Sequence, residues 1–350
     1  MAARRLTWGL AALLALGVLT LAVVRTPSDG PSEHADARHP ASVFGESRVG
    51  PRLLDLNVRS PALGTTAMVR LMTPVGWSRT GPSRRWPVLY LLHGCCDAYE
   101  SWTRSTDLER LARLREVLVV MPEGGPVGFY SNWVGSRGRP GPGWETFHLD
   151  ELRAILERDY GAGTRRAVAG LSMGGQGAIG YAARRPGLFR AAASFSGLLH
   201  PLRDADFHLG LFAAFTPDPL AIWGDPDRDR RTWARHDPTE LAERLGGTRL
   251  FVSAGNGRPG PYDSRADGRD RIEVTALGES RAFVRRARRF GIPVRADFYG
   301  DGRHAWPYWE RELRRALPTL LGRGRSVLAD ARPQSIGTRR PPAKSVAPRR

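Results

Sequence analysis

The chain has 350 residues, 41% of them apolar and 25% charged, and 53 basic against 35 acidic side chains give a net charge of +18. That length permits two domains or one large α/β domain with a sizeable core, and the composition excludes a multi-span membrane protein, a collagen and a mostly disordered chain. The charge raises nucleic acid or an anionic surface as partners, but residues 1–30 carry +2 and residues 321–350 carry +7, so half of it is terminal. The remainder is interspersed with acidic residues and forms no basic stripe with interleaved aromatics, so no nucleic-acid partner is expected.

In chain order, Arg4 and Arg5 precede an uncharged apolar run from Trp8 to Val24. Residues 1–25 therefore read as a cleaved signal peptide or an uncleaved signal-anchor through residues 8–24, placing the protein outside the cell or on the outer face of the cytoplasmic membrane. Residues 26–48 read as a linker and 322–350 as a disordered basic tail, suited to contact with anionic envelope material. Between them, residues 49–321 form one domain. Its predicted strands are Leu53–Val58, Met68–Met72, Val88–Leu92, Val117–Met121, Ala167–Gly170, Ala191–Phe195, Leu250–Ala254 and Val294–Tyr299. The first two flank the turn-like Pro61–Gly64 as an antiparallel hairpin; helices at 146–159, 175–185 and 273–290 separate the later ones. The class is α/β, with a mostly parallel central sheet of about eight strands flanked by helices.

One motif carries chemistry. Gly170-Leu171-Ser172-Met173-Gly174 is a G-x-S-x-G between a strand and a helix, the context that exposes a serine hydroxyl on a strained turn at a helix N-terminus. Ser172 is thereby the candidate nucleophile of an α/β-hydrolase domain. The base and its orienting acid follow in the order Ser, acid, His. Of the histidines after Ser172, only His304 lies beyond the last predicted strand, in a Gly-rich loop before a helix at Pro307–Leu317. Asp263, Asp267, Asp270, Glu273 and Glu279 all qualify as the acid by position; Glu273 is favoured because Ile272, Val274 and Leu277 look like a buried helix face. The oxyanion donors would be the backbone N–H groups of Cys95, after the third strand, and of Met173. The adjacent Cys95 and Cys96 form no disulfide framework and read as small residues near the core. His93, Trp133, Trp144 and Trp306 are expected to line the substrate site, with Trp309 beside them or in the core.

Eight blocks between about residue 52 and 320 resemble a known family. They are Leu91-Leu92-His93-Gly94 with Trp102, Met121–Gly125, Phe129–Trp133, Trp144–Phe147, Gly170–Met173, Ser196–Leu199, Gly255-Asn256-Gly257 and His304–Trp309. Together they look like the antigen 85 type mycolyltransferases and the wider putative esterase branch of α/β hydrolases. The resemblance implies a single, usually exported domain that needs no metal or cofactor, with Ser172 as nucleophile and His304 as base. It implies Glu273 as the acid, since the family places a glutamate 18 residues after the first glycine of the Gly255 block. Two departures bear on substrate. The mycolyltransferase loop reads L-L-D-G-L-R, where this chain has His93 and Cys96, and a long insertion before the histidine is absent. The expected activity is hydrolysis of acyl esters through a Ser-His-Glu triad. The alternatives are acyl transfer to a sugar or glycerol alcohol, and a non-catalytic adhesion module.

Overall fold

Three antiparallel strands open the sheet and six parallel ones complete it. The computed structural model describes residues 40–79 and 84–322. β1 (Ser42–Arg48), β2 (Leu53–Ser60) and β3 (Thr65–Met72) pair antiparallel, and β3 pairs antiparallel with β5 (Leu118–Pro122). β4 (Trp86–Leu92), β5, β6 (Ala162–Leu171), β7 (Ala191–Phe195), β8 (Arg249–Ala254) and β9 (Val294–Phe298) run parallel. The order is β1-β2-β3-β5-β4-β6-β7-β8-β9. The helices, in chain order, are α1 (Ser101–Ser105), α2 (Trp144–Thr146), α3 (Arg153–Asp159), α4 (Met173–Arg184), α5 (Ala205–Ala213), α6 (Leu220–Trp223), α7 (Arg230–His236), α8 (Arg271–Arg289) and α9 (Trp306–Leu321).

The sheet has nine strands rather than about eight. The added one is β1, in residues expected to end a linker. Only Val43 of its seven residues is half-buried and the rest are exposed, so no alternating apolar face marks it. Backbone pairing with β2, through a bulge between Val43 and Gly45, makes it an edge strand. The expected export segment at 1–25, the linker before residue 40 and the tail from 323 lie outside the described residues. Among the described residues, no helix is long and apolar enough to cross a membrane.

The inner parallel strands, β4 to β8, are buried on both faces, as helix-covered sheets require, while the edge strand β9 buries only Val294. Along β4, Val88, Tyr90 and Leu92 pack with Ile155, Ile179 and Phe283 of α3, α4 and α8. The intervening Leu89 and Leu91 pack with Trp102 of α1 and Leu313 and Leu317 of α9. Each such side chain, fully buried, adds about 1.5–3 kcal/mol. Ala191, Ala192 and Ala193 keep β7 slim, so α4 and α9 both reach it from opposite sides. Five loops consequently gather at the carboxyl ends of β4, β6, β7, β8 and β9, where open α/β sheets hold their ligands.

Candidate active site

Ser172 sits between the last residue of β6 and the first of α4 with φ 52° and ψ −123°. A non-glycine residue held there costs about 1–3 kcal/mol. Its N–H donates to the Phe195 carbonyl at 2.9 Å, and its carbonyl accepts from Gly175 and Gln176 at 2.9 and 3.1 Å. The glycines of the motif answer to space rather than to freedom. A Cβ on Gly170 would lie 2.2 Å from the Gly174 carbonyl oxygen, and one on Gly174 would lie 2.4 Å from the carbonyl oxygens of Leu92 and His93. Because those obstacles are backbone, Gly174→Ala is expected to destabilise the fold by about 3 kcal/mol or more. A thermal melt within 2 °C of the parent would contradict this reading of the turn.

His304 follows β9, and Glu273 lies in the first turn of α8. Their side chains meet at 2.7 Å through His304 Nδ1 and Glu273 Oε2. Glu273 is fully buried. Its Oε1 accepts from Gly255 N at 2.6 Å, Ser196 Oγ at 2.9 Å and Tyr299 OH at 3.4 Å, and the positive end of α8 adds to its support. Asp270 caps α8 by accepting from the N–H groups of Ile272 and Glu273, and its other oxygen accepts from His304 N at 3.0 Å. One turn of chain thus holds both the carboxylate and the backbone of the histidine. The other acids have other partners: Asp263 takes Tyr308 OH, Asp267 pairs with Arg303, and Glu279 pairs with buried His208 at 2.9 Å. With Nδ1 engaged, Nε2 is the nitrogen left to face a substrate. No hydrogen bond links the Ser172 hydroxyl to the His304 ring here, a contact that in hydrolases often tightens only with substrate bound.

The loop after β4 lies against the elbow: a Cβ on Gly94 would fall 2.6 Å from Leu171 Cδ1 and 3.4 Å from Ser172 Cβ. Among the described residues, neither the Cys95 N–H nor the Met173 N–H has an acceptor within the protein, whereas Cys96 N donates to the Pro126 carbonyl. Both thiols are free, their sulfurs 2.7 Å apart. The hydrogen bond between them pushes the Cys95 thiol up and holds the Cys96 thiol down, with burial opposing at Cys96.

The expectation that His93 lines the substrate site is corrected by its burial. The side chain is 1% exposed, its Nδ1 lies 2.7 Å from the Gly94 carbonyl, and its Nε2 accepts from Gly124 N at 2.8 Å. Tyr130 OH donates to its carbonyl at 2.9 Å. His93 is a strut that fixes the loop carrying Cys95. Trp306 is half-buried and joins an edge-to-face chain from Trp102 (5.2 Å) through Trp309 (5.4 Å) to His304 (4.9 Å from Trp309). Trp133 and Trp144 instead enclose the Gly125–Gly128 segment: Trp133 Nε1 donates to the Gly128 carbonyl, and Trp144 stacks on His148. His148, buried in a π-helical turn at Phe147–Leu152, is pushed down to about 4 by desolvation and stays neutral.

Two residues have supporting roles that the sequence does not assign to them. Ser196, at the end of β7 with φ 49°, donates to Glu273 and accepts from Trp309 Nε1 at 3.1 Å. Asp270 ties the His304 backbone to α8. In sequence, Ser196 is marked by its place at the head of the Ser196–Leu199 block, just past a predicted strand and before Gly197.

A family model described as "Putative esterase" matches residues 60–320. The chain is similar to Esterase Rv1288 of Mycobacterium tuberculosis, 34% identical over 256 residues that cover 69% of this chain and 54% of that protein. The chain therefore spans about half the length of that relative. It is also 30% identical over 293 residues to the diacylglycerol acyltransferase/mycolyltransferase Ag85B of Mycolicibacterium smegmatis, covering 78% of this chain and 86% of the other. Among solved structures, Mycobacterium tuberculosis MPT51 (FbpC1) superposes with a TM-score of 0.62 at 28% identity, over 76% of this chain and 97% of that one. The fluorophosphonate-binding serine hydrolase FphF of Staphylococcus aureus shares the fold, with a TM-score of 0.60 at 20% identity over 81% of this chain and all of the other.

Proposed function

Because the chain belongs to the putative esterase family of α/β hydrolases, we propose that it is an exported serine esterase working through Ser172, His304 and Glu273. The observation that carries this reading is the 2.7 Å bond from His304 Nδ1 to a fully buried glutamate, beside a serine on a strained strand-to-helix turn. In the proposed first step Ser172 Oγ attacks the ester carbonyl carbon and its proton passes to His304 Nε2. Glu273 holds the ring in the tautomer with hydrogen on Nδ1 and stabilises the imidazolium that forms. The carbonyl oxygen becomes an oxyanion between the N–H groups of Cys95 and Met173, each such donor being worth about 10²–10³ in rate. Collapse returns the proton to the departing alkoxide and leaves an acyl-enzyme, which water, activated by the same base, then cleaves.

Hydrolysis is preferred to transfer because the loop of the oxyanion region offers an acceptor sugar little to bind. Where the mycolyltransferases have an aspartate, His93 is turned inward and both its ring nitrogens are engaged. The Gly300–Arg303 connection before His304 is also short. Transfer remains the second reading on the strength of the 30% identity to a protein named as an acyltransferase. Product analysis of p-nitrophenyl ester turnover with glycerol or trehalose present distinguishes the two. Free acid is expected as the main product, and an acylated alcohol as the main product would favour transfer. Export rests on residues 1–25 and envelope contact on the basic tail; loss of extracellular activity on deleting residues 1–25 is the expected result.

A further inference from the structure

Away from this site, three segments converge on a cleft of about 360 Å³. It is lined by Arg285, Arg286 and Arg289 of α8, by Arg203 of the short turn Pro201–Arg203, and by His200. One carboxylate, Glu240, also lines it. Several arginines elsewhere are matched, as Arg70 is by Asp55, Arg79 by Glu46 and Arg184 by Glu145 at 2.6–2.7 Å, and others stand singly on the surface; here four line one concavity. Among the described residues, Arg203, Arg285 and Arg289 pair with no carboxylate, and Arg286 lies over the Phe290 ring at 4.9 Å.

Basic side chains are favoured at a helix C-terminus, which accounts for single cations on the last turns of α8. It does not account for Arg203 and His200 facing the same concavity from a different segment, nor for Arg285 and Arg289 standing four residues apart, where like charges repel. His200 is fixed from behind: Nδ1 meets Asp237 at 2.8 Å and its N–H donates to Glu279 at 2.9 Å, both carboxylates being buried. The cleft thus gathers an excess of guanidinium groups around an imidazole held in place.

We propose that this cleft binds a phosphate-bearing anion. Guanidinium forks match phosphate oxygens two at a time, and four of them against one glutamate call for a ligand with several negative charges in a small volume, which a single carboxylate lacks. At about 30 Å³ per water, 360 Å³ displaces about a dozen waters, enough for a diphosphate group. Along α8, Arg285 and Arg289 lie 12 to 16 residues beyond Glu273, about 18–24 Å at 1.5 Å per residue. The ligand therefore takes no part in ester chemistry; it holds the enzyme where phosphate is displayed.

The test titrates the full chain with inorganic pyrophosphate by calorimetry at about 0.15 M salt, and measures co-sedimentation with phosphatidylglycerol vesicles. Arg285→Glu with Arg289→Glu is compared with Arg230→Glu and Arg231→Glu, an equal charge change on exposed α7. The first pair is expected to weaken binding about tenfold or more and the second less than threefold, with p-nitrophenyl ester hydrolysis unchanged in both. Loss confined to pyrophosphate assigns a soluble phosphate, and loss confined to vesicles assigns a lipid headgroup. Absence of saturable binding in both arms, or equal loss in the two variants, overturns the proposal.

Discussion

Replacing Ser172 with alanine is expected to lower kcat/KM for a short p-nitrophenyl ester by about 10⁴-fold or more while leaving the protein folded. The size follows from the role: without the hydroxyl no acyl-enzyme forms, and only the oxyanion donors and binding contacts remain to assist water, which in serine hydrolases leaves a small residual catalysis. The fold should survive because Ser172 is held through its backbone. Its N–H bonds the Phe195 carbonyl and its carbonyl starts α4, and alanine supplies both groups at the same φ. A loss of less than tenfold in a folded variant would remove Ser172 from the mechanism.

Glu273→Gln should cost about 10³–10⁴-fold in kcat. The carboxylate takes His304 Nδ1 on one oxygen and three donors, from Gly255, Ser196 and Tyr299, on the other. An amide has one accepting oxygen, so its NH₂ must face either the histidine or those donors, and the imidazole loses its fixed tautomer or its orientation. Glu279→Gln is the matched control, since Glu279 is also buried on α8 but serves His208 and His200 N. It should cost about 1–3 kcal/mol of stability, read as a lower melting temperature, with kcat within a few-fold of the parent. If the folded Glu279 variant lost more activity than the Glu273 variant, the acid would be misassigned.

The nucleophile turn was legible because it is local: strand, glycine, serine, glycine and helix are contiguous in sequence. The pairing of His304 with a residue of α8 is legible only as an order along the chain. The proposed acid, Glu273, does not owe its burial to the apolar neighbours that mark it in sequence. Ile272, Val274 and Leu277 looked like a buried face, yet Ile272 is 39% exposed and the other two are half-buried. The buried stripe of α8 is Glu273, Ala276, Glu279, Ser280, Phe283, Val284 and Ala287. Two carboxylates stand where apolar side chains are the norm, and their partners, His304 and His208, come from distant segments that no helical period reveals. His93 misled in the same way. Beside a glycine in an oxyanion loop it reads as a substrate contact, but Gly124, 31 residues on, takes up its ring. β1 was invisible because its pairing is carried by backbone and its side chains face solvent.

The central claim is that Ser172 forms a covalent acyl intermediate with His304 as its base. Its most direct test is intact-mass and peptide mapping of the protein after reaction with a fluorophosphonate, whose phosphorus an activated serine oxygen attacks, expelling fluoride while the base takes the hydroxyl proton. One adduct per chain is expected, on the peptide containing Ser172, with labelling slowed by about two orders of magnitude or more in His304→Ala and absent in Ser172→Ala. An adduct on another residue, or labelling that persists in Ser172→Ala, would contradict it.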